Sequence, residues 1–127
     1  MPLQLHVGAP ASASLAEQVA FIVRAESLGF DGVGLAEDAR FGDPFETLSA
    51  AADQTSRIWL YPTVTNPITR TPSQQVTLIR RVAERAPGRV KLAIGAGDAA
   101  LVASGHKPAR LATLRKAVLD IREALGD

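Results

Sequence analysis

Short, nearly unbroken apolar runs alternate along the chain with longer stretches in which apolar residues recur every three or four positions. The runs are Leu3 to Val7, Gly32 to Ala36, Ile58 to Val64 and Val90 to Ile94. Each has the length of a strand and reads as nearly continuous hydrophobic, as expected for strands of a parallel sheet buried on both faces. The periodic stretches predict four helices. The first carries Leu15, Val19, Ile22 and Val23 on one face and stops at Leu28-Gly29. The second opens at Asp43-Pro44, an N-cap acid followed by proline at the first helical position, and presents Phe45, Leu48, Ala52 and Thr55. The third opens at Thr71-Pro72, turns Val76, Ile79, Val82 and Ala83 inward, and ends before Pro87-Gly88. The fourth follows Pro108 with Leu111, Leu114, Val118, Ile121 and Leu125, the clearest amphipathic spacing in the chain.

The predicted order is therefore β-α-β-α-β-α-β-α, in units of roughly thirty residues, the length of a right-handed βαβ step. No linker interrupts it, so residues 1–127 read as a single domain. An open doubly wound sheet and part of a closed (βα)-barrel share this alternation, and periodicity does not separate them. Composition adds exclusions. Apolar residues make up 46% and charged residues 21%, with a formal net charge of +1. There is no basic stripe for nucleic acid and no charged tail. Without cysteine there is no disulfide framework, thiolate nucleophile or Cys-based metal site. No apolar stretch approaches the ~20 residues of a membrane span, so the expected location is the cytoplasm.

In either architecture ligands bind at the carboxyl ends of the strands. Polar residues and glycines gather at those ends: Gly8-Ala9-Pro10, Glu37-Asp38-Ala39-Arg40, Thr63-Val64-Thr65-Asn66-Pro67 and Gly95-Ala96-Gly97-Asp98. Glycines at 95 and 97 would let a ring or phosphate approach the backbone closely. Each feature also has a plain structural reading. Glu37-Asp38 suits a solvated turn, and Gly95-Ala-Gly97 lacks the third glycine of a dinucleotide fingerprint. His6 reads as a packed strand residue, and His6 and His106 are too few to suggest a metal. On chemistry alone Asp98 is the strongest functional candidate. A flavodoxin-like domain would need a phosphate loop after the first strand, and Gly8-Ala-Pro-Ala-Ser-Ala-Ser14 is a poor one.

Taken in order, Ala25-Glu-Ser-Leu-Gly-Phe-Asp-Gly32, Glu37-Asp38, Asp43-Pro44-Phe45, Thr55-Ser-Arg-Ile58, Val64-Thr-Asn-Pro67, Arg70-Thr-Pro72, Ala86-Pro-Gly-Arg89 and Gly95-Ala-Gly-Asp98 resemble the N-terminal half of the luciferase-like monooxygenase superfamily. The nearest branch is the deazaflavin-dependent one that includes methylenetetrahydromethanopterin reductase. The resemblance implies a TIM-type barrel that holds FMN or a deazaflavin coenzyme at its carboxyl face, for hydride transfer or monooxygenation. It implies a bulge with a non-prolyl cis peptide after the third strand, matching Thr63–Val64, that backs the ring. Asp38, Thr63, Val64, Thr65, Asn66, Gly97 and Asp98 would then contact the cofactor, with Asp98 the candidate catalytic group and no metal. Two positions depart from the pattern. His6 stands where the deazaflavin reductases tend to carry glutamate, and Asp38-Ala39 where many relatives have Asp-His.

A complete barrel takes ~250 residues, and the family's phosphate-binding loops lie in the half that this sequence does not include. The expected fold is accordingly α/β, a (βα)4 half-barrel with parallel strands in the order 1-2-3-4. Inward residues such as Leu5, Leu35, Leu60 or Tyr61, and Leu92 or Ile94 would leave an apolar inner face, and the strands two open edges. A homodimer or larger even-numbered assembly would cover both. The competing expectation is a non-catalytic half-barrel module that folds and dimerises, with no cofactor and no turnover.

Overall fold

Strand and helix alternate as the pattern requires in the computed structural model, which describes every residue except 12–13, 39, 41 and 127, and the backbone alone at 98–100. The elements are β1 (His6–Gly8), α1 (Leu15–Ser27), β2 (Gly32–Leu35), α2 (Pro44–Ala52), β3 (Trp59–Pro62), α3 (Pro72–Arg85), α4 (Asp98–Ala103) and α5 (Leu111–Leu125). Helix starts fall where the capping residues place them. The Ser14 hydroxyl accepts from the Glu17 amide, and the Asp43 carboxylate accepts from the Phe45 amide. Thr71 and Gln74 form a reciprocal capping box ahead of Pro72. The short helix α4 was not expected. It follows Gly97, in a glycine-rich segment too short to show a helical repeat in the sequence.

The sheet is parallel in the order β1-β2-β3, with His6 beside Gly32 and Gly32 beside Trp59. The fourth apolar run does not form a regular strand. It lies parallel to β3 but touches it through two isolated bridges, Leu60 to Val90 and Thr65 to Ile94. The cause is local. The Leu60 amide donates to the Arg89 carbonyl and the Lys91 amide to the Leu60 carbonyl. Pro62, two residues on, would supply the next rung and has no N–H. One more residue then separates Leu60 from Thr65 than separates Val90 from Ile94, so β3 ends in a bulge.

Side-chain parity decides which face of the sheet is covered. Val33, Leu35, Ile58 and Leu60 point to the helices and pack with Ile22, Phe45, Leu48, Ile79 and Val82 in one core. Leu35 and Leu60 are 1% and 0% exposed, so they are not residues of an open inner face. Leu92 and Ile94 also turn to the helix side, where with α3 and α5 they line a cavity of about 330 Å³. Leu5 is 55% exposed. The opposite, open face carries His6, Gly32, Gly34, Tyr61 and Thr63. It is polar and aromatic where an apolar surface was expected. On α5 the predicted stripe is turned only partly inward: Ile121 is buried, while Leu111 and Leu125 are exposed, and Ala117, outside that stripe, is buried as well.

Two charged residues close the amino-terminal end of the core. Arg89 donates to the carbonyls of Ala52, Thr55 and Ile58 and to the Thr55 hydroxyl, at 2.8–3.0 Å. The Glu26 carboxylate accepts from the amides of Ser56, Arg57 and Ile58. Burial pushes the Glu26 pKa up, but those three amides and the charge of Arg89 outweigh it and hold it below the ordinary glutamate value.

Candidate active site at the carboxyl edge

The bulge turns two consecutive side chains to the same side. Thr63 lies on the open face, where a Cβ added to Gly34 would stand 2.3 Å from its Cγ2. Val64 follows it and rests against Gly95, whose added Cβ would come 3.0 Å from the Val64 Cγ2. A regular strand would have sent Val64 to the opposite face. The Thr63–Val64 bond is cis, as the family pattern implied. Val64 remains 42% exposed, an apolar side chain offered at the carboxyl edge.

Behind the bulge the chain is fixed by an Asx turn. Asn66 Oδ1 accepts from the amides of Ile68 and Thr69 and from the Thr69 hydroxyl. Gln75 of α3 donates from Nε2 to the carbonyls of Asn66 and Arg70. Thr65 and Asn66 are buried, and Thr65 Oγ1, Asn66 Nδ2 and Gln75 Oε1 have no hydrogen-bond partner among the described residues. Gly97 has a φ of 91° and packs directly on Asn66, at 2.9 Å from its Cβ to an added methyl. The structure therefore brings Val64, Asn66, Gly95 and Gly97 together. The Asp98 side chain, the strongest candidate from sequence, lies outside the described residues.

Carboxylates after β2 take different partners. Asp38 is bound by its neighbour: Arg40 donates from its amide and from Nε to Asp38 Oδ1, each at 3.0 Å. The Arg40 side chain and amide hold the Asp38 pKa down at about 2. A folded-state pKa below the ordinary aspartate value means that this pair favours the fold at neutral pH, and that its contribution fades as pH falls toward 2. The Asp38 carboxyl carbon is expected to titrate near pH 2 by NMR, and to move up toward the ordinary aspartate range in Arg40→Ala. An unchanged midpoint in that variant would remove Arg40 as the cause. Glu37 instead pairs with Arg70 Nε, with its side chain 9% exposed and Oε2 without a partner among the described residues. Arg70 also reaches Asp43 at 3.0 Å and lies over the Phe45 ring, 5.1 Å from its centroid. Arg70 thus ties the loop after the bulge to the end of β2 and the start of α2.

Sequence reasoning singled out Glu37 but missed Arg70 as its partner. It also took His6 for a packed core residue, whereas His6 lies half-buried on the open face and bonds Tyr61. The available signal was Gly32-Val-Gly34, two glycines on one face of a strand, which marks a close approach by something else. A hollow of about 640 Å³ against α2 and α3 is lined by Phe45, Ala50 and Leu78 among others and includes neither Asp38 nor Val64. Among the described residues no helix is long and apolar enough to cross a membrane.

The sequence profile of the luciferase-like monooxygenases matches residues 2–127. Among solved structures, the fold is similar to that of a coenzyme F420-dependent tetrahydromethanopterin reductase from Methanopyrus kandleri, with a TM-score of 0.89 at 22% identity. That match covers 98% of this chain and 41% of the reductase. The FMN-bound oxygenating constituent of 3,6-diketocamphane monooxygenase from Pseudomonas putida is similar with a TM-score of 0.82 at 22% identity, covering 98% and 40% of the two chains. A monooxygenase from Streptomyces bottropensis follows with a TM-score of 0.75 at 20% identity, covering 98% and 44%. The chain thus spans about two-fifths of the length of these proteins.

Proposed function

The chain belongs to the luciferase-like monooxygenase family, and from that premise we propose that its carboxyl edge holds the ring of FMN or a deazaflavin coenzyme in an oxidoreductase site. The observation that carries this reading is the bulge, which presents Thr63 and Val64 side by side. A planar heteroaromatic ring fits what is there. Val64 offers an apolar contact for its face, and Gly95 and Gly97 leave room beside it. Asp38, held ionised by Arg40, offers an acceptor for a ring N–H. When bound, such a ring supplies hydride transfer or, with oxygen, monooxygenation. Thr65 and Asn66 shape the loop from below, and Asp98, opening α4, is the proposed second carboxylate. Similarity to a reductase named for F420 and a monooxygenase bound to FMN supports both ring types alike.

The test is fluorescence titration of the purified chain with FMN and with a deazaflavin coenzyme. Saturable quenching by one of them is expected. Val64→Asp should weaken binding at least about tenfold, since a carboxylate against an apolar ring face loses some 1.4 kcal/mol or more. Asp98→Ala should weaken it while leaving the circular dichroism intact. No binding of either ring would overturn this reading in favour of a non-catalytic module.

The working unit proposed is a homodimer of half-barrels. Support comes from the outer edges of β1 and of residues 90–94, which have no strand partner among the described residues. Parallel edges of this kind pair readily with another chain. Sedimentation equilibrium at micromolar concentration is expected to give twice the mass of one chain. A monodisperse single-chain mass would overturn it.

A further inference from the structure

The loop that follows the bulge is pinned at both of its ends. Gln75 of α3 donates from Nε2 to the Asn66 carbonyl at 3.1 Å and to the Arg70 carbonyl at 3.0 Å. Between them Asn66 Oδ1 accepts from the Ile68 and Thr69 amides at 3.0 and 2.9 Å. These bonds give the loop its shape, but none of them reaches β2 or α2. On its other side the bulge is held by backbone bonds: the Thr65 amide donates to the Ala93 carbonyl, and the Gly95 amide to the Thr65 carbonyl. Toward β2 the ladder stops early. Its last backbone bond runs from the Thr63 amide to the Leu35 carbonyl, and beyond it none joins residues 36–43 to residues 64–70 among the described residues.

The Arg70 side chain spans that gap. Its Nε donates to Glu37, just past the end of β2, and its Nη2 to Asp43 Oδ1 at 3.0 Å. The same Asp43 oxygen accepts the Phe45 amide that starts α2, at 2.9 Å. Glu37 makes this more than a surface tie. Its side chain is 9% exposed, and a carboxylate so far from water needs a cation beside it. Glu37 is also the neighbour of Asp38, so whatever fixes Glu37 fixes the base of Asp38. The two ends of the tie are therefore the two parts of the carboxyl edge that a bound ring would meet, Asp38 after β2 and Val64 after β3.

We propose that Arg70 is a positioning residue of this edge, whose bonds to Glu37 and Asp43 set the spacing between Asp38 and Val64 and with it the affinity for the coenzyme ring. The proposal rests on the ring-binding reading above and adds to it a residue that acts through its neighbours.

The experiment measures ring affinity and stability side by side, by fluorescence titration with FMN and with a deazaflavin coenzyme and by urea unfolding. Arg70→Met should lower the urea midpoint and weaken ring binding about tenfold. Adding Glu37→Gln removes the stranded carboxylate, so the double variant should regain most of the lost midpoint while its binding stays weak. Arg70→Lys keeps the charge without the fork that meets two carboxylates, and should bind with intermediate affinity. Recovered binding in the double variant would overturn the proposal, because Arg70 would then serve only to neutralise Glu37. Wild-type affinity in Arg70→Met would overturn it too, and would leave ring binding itself intact. No binding of either ring by the wild type would overturn both readings, so the two failures are told apart. Should Arg70→Met fail to fold, the double variant decides in its place: a tenfold loss supports the proposal and wild-type affinity overturns it.

Discussion

Replacing Arg89 by methionine is expected to destabilise the chain by about 3–5 kcal/mol, read as a fall in the urea midpoint with an unchanged slope. The buried guanidinium is the hydrogen-bond partner of three carbonyls, those of Ala52, Thr55 and Ile58, where α2 ends and β3 begins. Methionine fills similar volume but leaves those acceptors in the core without donors, and each such group costs about 1–3 kcal/mol. Net stabilities of domains run to ~5–15 kcal/mol, so the loss is a large share of the whole. It also removes the positive charge that helps keep Glu26 ionised. Arg89→Lys should recover part of the loss, since an ammonium has donors but not the forked reach. A loss below about 1 kcal/mol in the methionine variant would mean that water replaces the guanidinium.

Gly97→Ala should cost about 2–4 kcal/mol and weaken ring binding with it. Part of this is conformational, because a φ of 91° disfavours any residue with a Cβ by roughly 1–2 kcal/mol. The rest is crowding. The new methyl would stand 2.8 Å from Leu101 Cδ1 and 2.9 Å from Asn66 Cβ, and such overpacking costs ~1–3 kcal/mol. Because Asn66 anchors the turn behind the bulge, displacing it shifts Val64 as well. Gly88→Ala is the matched control: its φ is 77°, but nothing lies within 4 Å of the added methyl. It should show the conformational cost alone and bind as the wild type does. Equal losses in both variants would show that Gly97 serves the backbone and not the packing around Asn66.

The sequence made the helices legible because their starts are local chemistry: Asp43-Pro44 and Thr71-Pro72 carry their own capping hydrogen bonds. The parallel order was legible for the same kind of reason, since each βαβ step is one local unit. What could not be read was parity. Ile58 to Tyr61 is aliphatic or aromatic at every position, so nothing in it says that Leu60 faces the helices and Tyr61 the open side. That assignment depends on Gly32 and Gly34 across the ladder. The interruption of the fourth run was missed for want of the bulge's register, although Pro62 stood in view as a residue that cannot donate. At the candidate site, Val64 was pointed to by the family resemblance and Gly97 by the glycines that close the fourth apolar run. Arg70 was not, because its partners Glu37 and Asp43 are 33 and 27 residues away.

The bond between His6 and Tyr61 also bears on how the sheet comes apart. β1 has three residues and lies at the edge, where a strand held only by its backbone ladder would fray ahead of everything else. Its side chain, however, passes over β2 and is fastened to β3. Peeling β1 away therefore strips the His6 ring from Gly32 and releases Tyr61 in the same event. The outermost strand is thereby coupled to the interior one, and edge and centre open as a single cooperative unit.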